Sequence, residues 1–244
     1  MRRLKLIIEY DGTNYHGWQR QLIYRTIQQT LEEALEKMIQ TKTPIIGASR
    51  TDRGVHAMGQ IAHCQIESSI SDIKLFKGFN TILPADIKIK KLKTVDPSFH
   101  AQKQAQSKIY VYQILNSPSP SPLLRHYSWW IRTPLNISKM KKAAKILVGE
   151  HDFKAFQNAG TKLNSTIRTI FKSFVQEKRP YLTYQVKGSG FLKQMVRNIV
   201  GALVAIGKEE ISIEDFKELL ASKNRKLGPA PAPPQGLFLK KIFH

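Results

Sequence analysis

The chain has 244 residues, 41% of them hydrophobic, with 39 Lys plus Arg against 18 Asp plus Glu and a net charge of +21. Such a chain can bury one large core or two smaller ones, which excludes disorder, and a charge this lopsided predicts a polyanionic partner held through its phosphates. One cysteine, Cys64, excludes an internal disulfide framework and fits a reducing cytoplasm, and no apolar run is long enough to span a membrane.

The N-terminus opens Met1-Arg2-Arg3, but Lys5 and Glu9 interrupt the apolar stretch behind it, so a strand is expected there rather than a signal peptide. Leu4, Leu6, Ile8 and Tyr10 alternate as a half-buried strand does. Tyr10-Asp11-Gly12-Thr13-Asn14 reads as a turn. A helix is predicted from Ile27, with Ile27, Leu31, Ala34, Leu35 and Met38 at helical spacing and Thr26 with Gln29 as a capping box. A loop around Asp52 leads to a strand over 55–66 that is apolar on both faces and so central. A short helix over 73–82 and a strand over 87–95 complete a first half of pattern β-α-β-α-β.

In the second half, Ile109 to Leu115 reads as a strand and the Ser/Pro run over 117–122 as a surface loop. A helix over 138–147, a hairpin of strands over 167–176 and 181–186, and a long helix over 191–206 follow. That last helix carries an apolar stripe with Lys193 and Arg197 four apart on the opposite side. A helix over 213–220, an irregular Pro/Ala segment over 228–234 and a strand over 237–242 end the chain. The fold expected is α+β: two α/β halves, 1–104 and 105–244, with mostly antiparallel sheets, helices on one face and a concave sheet side free to hold RNA.

Five features carry possible chemistry. Asp52 stands between Arg50 and Arg53 in Gly47-Ala48-Ser49-Arg50-Thr51-Asp52-Arg53-Gly54-Val55-His56. Asp is a favoured turn residue, so turn chemistry alone accounts for it. A carboxylate between two guanidiniums, in a chain poor in acids, is equally what an RNA-modifying site needs. Arg50 reads either as a surface ion-pair partner or as a phosphate contact that fills the space of an extruded base. Tyr110 and Tyr112 share one strand face by their period of two, as ordinary strand aromatics or as a base-stacking platform. Lys193 and Arg197 read as a solvated face, as phosphate contacts or as a partner for Asp52. His56, His63 and Cys64 do not match zinc spacing, so no metal is expected, and no phosphate-binding glycine loop or Ser-His-Asp relay is present.

Gly47 to His56 resembles the motif G-x-G-R-T-D-x-G-V-H of the tRNA pseudouridine synthase A family. The resemblance extends in order through Glu9-Tyr10-Asp11-Gly12, Gly17-Trp18-Gln19-Arg20-Gln21, Leu83-Pro84-Ala85-Asp86-Ile87, Phe99-His100-Ala101, Met195 to Gly201 and Ala232 to Leu237. It implies an RNA-binding cleft between the two halves and isomerisation of uridine to pseudouridine at positions 38, 39 and 40 of the tRNA anticodon stem-loop, by a homodimer that uses no cofactor or metal. It implies Asp52 as catalytic nucleophile, Tyr110 as the ring stacked on the target base, Arg50 as an aid to base extrusion and Arg197 as the basic partner of the aspartate. Ser49 and Arg53 depart from the family's usual small residues, and Gln102 and Gln104 from its Arg and Ser, which touches RNA contacts rather than the catalytic set.

Overall fold

The computed structural model describes residues 1–158 and 165–244. It divides into two compact units, Met1–Gln106 with Phe238–His244, and Ser107–Leu237. In chain order the elements begin β1 (Arg2–Tyr10), α1 (Ile27–Ile39), β2 (Ile46–Gly47), β3 (His56–Ile66), α2 (Asp72–Ile82) and β4 (Ile87–Val95). They continue β5 (Ser107–Asn116), β6 (Trp129–Ile131), α3 (Ile137–Ile146), β7 (Gly149–Asp152), β8 (Ile167–Lys178), β9 (Tyr181–Gly188), α4 (Met195–Gly207), α5 (Ile213–Ser222) and β10 (Leu237–Phe243). This mixture of helices and strands is the α+β class expected.

In the first unit the sheet runs β4-β1-β3-β10, with β2 beside β3. All these pairs are antiparallel except β3 with β10. Leu4, Leu6, Ile8 and Tyr10 are buried, and their neighbours are half-exposed, as the alternation predicts. β3 has strands on both sides, the central place expected of it, and residues on both of its faces are buried. The outer strand β4 carries Lys90, Lys91 and Lys93, exposed charges that discourage pairing with another chain. Between Ala57 and Gln60 β3 holds one residue more than β1 does between Ile8 and Tyr10, a bulge at the end nearest the Asp52 loop. Helix α1 is capped by Thr26, whose hydroxyl accepts the Gln29 N–H at 3.3 Å. Only half the expected capping box forms, because the Gln29 amide donates forward to Glu33 at 2.8 Å.

In the second unit the sheet runs β5-β9-β8-β7, with β6 parallel to β5. Helix α3 packs against β8 and α4, and Phe153, Phe156 and Phe216 meet as tilted rings 5.8–6.2 Å apart. Two expectations about the long helix are corrected. It begins at Met195, not Phe191, because Gln194 is left-handed (φ 59°), a conformation that does not propagate a right-handed helix. It is also buried all round rather than on one stripe: every residue of α4 is buried except Arg197. A helix of that kind lies inside its unit.

Candidate active site

The Asp52 loop joins β2 to β3 and is fastened along its length. The Ala48 N–H donates to Ile61 O at 2.7 Å. Gln60, 0% exposed, brackets Ser49: its Oε1 accepts the Ser49 N–H at 3.3 Å and its Nε2 donates to Ser49 O at 2.6 Å. The Tyr10 and Thr51 hydroxyls share a buried hydrogen bond of 2.8 Å. The Val55 N–H donates to Asp52 O at 3.2 Å and closes the turn that Asp was expected to favour. Asp52 is half-buried at its head, flanked by exposed Arg50 and Arg53. Ser49 is not among the residues with positive φ, so the missing glycine costs no backbone strain.

The segment after β1 supplies the rest of the clamp. The Trp18 N–H donates to Thr51 O at 3.0 Å, and the Gly54 N–H donates to Tyr15 O at 3.2 Å. Gly17 makes this approach possible. It sits at φ 88°, and a Cβ there would lie 2.5 Å from Thr51 O. Tyr15 is itself tied down, its hydroxyl donating to Asp86 at 2.7 Å, and burial followed by that bond raises its pKa. At the loop's far end the His56 Nδ1 stands 3.0 Å from Asp11 Oδ1 and 3.1 Å from the Gly12 N, and its ring stacks on Phe238 at 4.7 Å.

The three residues weighed for a metal are occupied otherwise. Besides His56, the His63 Nδ1 accepts the Ala101 N–H at 3.2 Å, and burial foremost pushes its pKa down to about 4. Burial pushes the Cys64 thiol up to about 12. Among the described residues no three His, Cys, Asp or Glu side chains gather as they would to hold a metal ion.

The second unit holds Tyr110, Tyr112 and Arg197. Tyr110 lies on β5 opposite Val186 of β9, buried, with its ring edge-on to Phe191 at 5.1 Å. Tyr112 is fully buried and donates to Pro233 O at 2.7 Å; burial raises its pKa, with Arg197 opposing. It is a structural aromatic. Arg197 grips the segment before β10 twice: its Nε donates to Ala232 O at 2.8 Å, and its own carbonyl accepts the Ala232 N–H at 3.0 Å. Gly201, one turn later, leaves room for that segment, since a Cβ there would lie 2.2 Å from Ala230 O. Lys193 precedes the helix and is exposed, so it shares no helical face with Arg197. Nearby in the sequence Asn198, buried, donates to Phe156 O at 2.7 Å and to Asn158 at 3.1 Å.

Asp52 and Arg50 thus belong to one loop of the first unit, and Tyr110 and Arg197 to the second. Sequence reasoning missed Gln60, Tyr10 and Gly17 as the residues that hold the Asp52 loop. A signal existed for Gln60, a polar residue inside the most apolar strand of the first half.

A sequence profile for tRNA pseudouridine synthases matches residues 6–102 and 143–243. The chain is 43% identical over its whole length, and the whole length of the relative, to tRNA pseudouridine synthase A of Thermoanaerobacter sp. (strain X514). It is 41% identical, again over both full lengths, to tRNA pseudouridine synthase A of Acetivibrio thermocellus and to tRNA pseudouridine synthase A 2 of Clostridium perfringens. With motif, fold and full-length similarity in agreement, the chain belongs to the tRNA pseudouridine synthase family.

Proposed function

We propose that this chain isomerises uridine to pseudouridine at positions 38, 39 and 40 of the tRNA anticodon stem-loop, with Asp52 as the catalytic nucleophile. The observation that carries the proposal is a carboxylate between two exposed arginines, on a loop immobilised by buried and half-buried hydrogen bonds. A preorganised carboxylate loses little freedom when it reacts. The Asp52 carboxylate attacks C1′ and the N1–C1′ bond breaks. The base turns, and C5 bonds to C1′ as the bond from C1′ to the Asp52 oxygen breaks and frees the carboxylate. The hydrogen on C5 is lost and N1 gains one, so atoms balance. No oxidant, reductant or group donor is consumed, and no cofactor or metal enters the reaction.

The base must first leave its stack, at a cost on the order of a few kcal/mol. Tyr110 stacks on it, Arg50 takes its place in the RNA, and Arg197 is the basic residue that keeps the Asp52 carboxylate charged. The N-terminal half, 1–104, supplies the carboxylate, and 105–244 supplies the ring and the second cation. Phosphates are held by the excess of 39 basic over 18 acidic residues. A homodimer is part of the proposal. It is supported by Ile167, Phe171 and Phe174 on β8, all exposed, in a strand whose β7 partner ends at Ile170. Among the described residues no helix is long and apolar enough to cross a membrane, and a cytoplasmic site of action fits the chain's one, buried cysteine.

The test is release of tritium from an unmodified tRNA transcript labelled at uridine C5, in chelator, with carbodiimide mapping of the product. Release with adducts at 38, 39 or 40 is expected. Tight binding without release would reduce the chain to a tRNA-binding protein, and release that needs a divalent ion would contradict the mechanism.

A further inference from the structure

Residues 19–25, between the first turn and α1, break the usual rule for a short surface loop. Leu22 and Ile23 are almost wholly exposed and Tyr24 is 49% exposed, three large apolar side chains in a row. The loop is nevertheless built. At its base the Gln28 Oε1 accepts from both the Gln19 amide and the Arg20 N–H at 2.9 Å. The Glu32 carboxylate accepts from Arg20 at 2.8 Å and from the Gln28 amide at 2.9 Å. The His16 N–H donates to Arg25 O at 3.0 Å, which closes the loop on itself.

That closure sets one ring on another. Tyr24 stacks on His16 with centroids 4.1 Å apart and planes 13° apart. One face of the Tyr24 ring is thereby backed, and its remaining exposure is aromatic surface held in place before any ligand arrives. Arg25 lies over the Tyr15 ring at 5.5 Å. The next residue after His16 is Gly17, whose backbone lies against Thr51 to Arg53. The platform is thus joined through one residue to the loop that carries Asp52.

We infer that the His16–Tyr24 stack is a nucleotide-binding platform, which takes an unpaired base of the substrate RNA next to the target uridine. Every base has a π-face, so a preformed ring binds it with little regard to sequence, and adjacent cations hold its phosphate. A partner protein surface would also cover apolar side chains, but the loop carries Arg20 and Arg25 in a chain of net charge +21, which favours a polyanion. The inference rests on the proposed tRNA substrate and adds the platform to it.

The experiment uses full-length wild type, Tyr24→Ala and Tyr24→Phe. Affinity is measured for an anticodon stem-loop RNA and for a fully paired duplex of equal charge, with the sedimentation coefficient of each free protein. Turnover by wild type is checked first, so failure of the enzymatic reading shows there and separately. Tyr24→Ala should weaken stem-loop binding about tenfold and leave duplex binding unchanged, since one base stacked on one ring is lost. Tyr24→Phe should match wild type. Unchanged stem-loop affinity in Tyr24→Ala, an equal loss on the duplex, or a change in sedimentation that marks the loop as a contact between copies would each overturn the platform.

Discussion

The two units hold their proposed functional residues by different means. In the first, Asp52 sits on a loop, and hydrogen bonds from Tyr10, Trp18, Tyr15 and Gln60 do the holding. In the second, Arg197 is the one residue of α4 that is not buried, and the packing of that helix does the holding. Each unit brings a second segment close with a glycine, Gly17 under Thr51 to Arg53 and Gly201 under Ala230. A loop fixed by polar bonds is aimed by direction and fails when one bond is lost. A packed helix is aimed by shape and fails when volume changes.

That contrast can be broken or sharpened by substitution. The largest expected effect on stability is at Gly201→Val, which would force the Ala230 segment away from a fully packed helix. It should cost about 3 kcal/mol and lower Tm by roughly 10 °C, read by calorimetry. Gly17→Ala should cost about 2 kcal/mol because the residue must keep φ near 88°. Its turnover should fall further than its stability, since the Asp52 loop moves with it. Gln60→Ala comes next. It leaves the N–H and C=O of Ser49 without their amide partner, a loss of roughly 1.5 kcal/mol in urea unfolding. Its kcat should drop while tRNA affinity holds; an unchanged kcat would mean the loop does not need its polar clamp.

The last prediction concerns pH. His63 is held neutral in the folded state, with its pKa lowered from 6.5 to about 4. The unfolded chain therefore binds the proton first as pH falls, and stability is full above about 6.5 and declines toward 4. Urea midpoints at pH 7 and pH 5 should show that decline, and His63→Gln should reduce it.

Much of this was legible in the sequence, and for identifiable reasons. The elements β1, α1, β3 and β4 announce themselves because alternation and helical spacing are local. The Asp52 loop is legible because an acid between arginines and glycines is rare in so basic a chain. Its clamps were not, because Tyr10 meets Thr51 across 41 residues and Gln60 meets Ser49 beside a bulge that no local pattern records. The start of α4 was misplaced because Phe191 continues the apolar spacing, while the left-handed turn at Gln194 leaves no mark in residue type. Its burial on all sides escapes the spacing for a related reason: Lys193 lies before the helix, so Arg197 alone is left unburied on it.

The most direct test of Asp52 as the reacting group is a single-turnover comparison of wild type with Asp52→Asn on a tRNA transcript, with affinity measured in parallel. The substitution keeps the size of the side chain and removes its charge. Pseudouridine formation should fall by at least about a thousandfold with tRNA affinity retained, as expected when the nucleophile alone is lost. A variant that still forms pseudouridine at a comparable rate would place the chemistry on another residue and leave Asp52 a turn residue only.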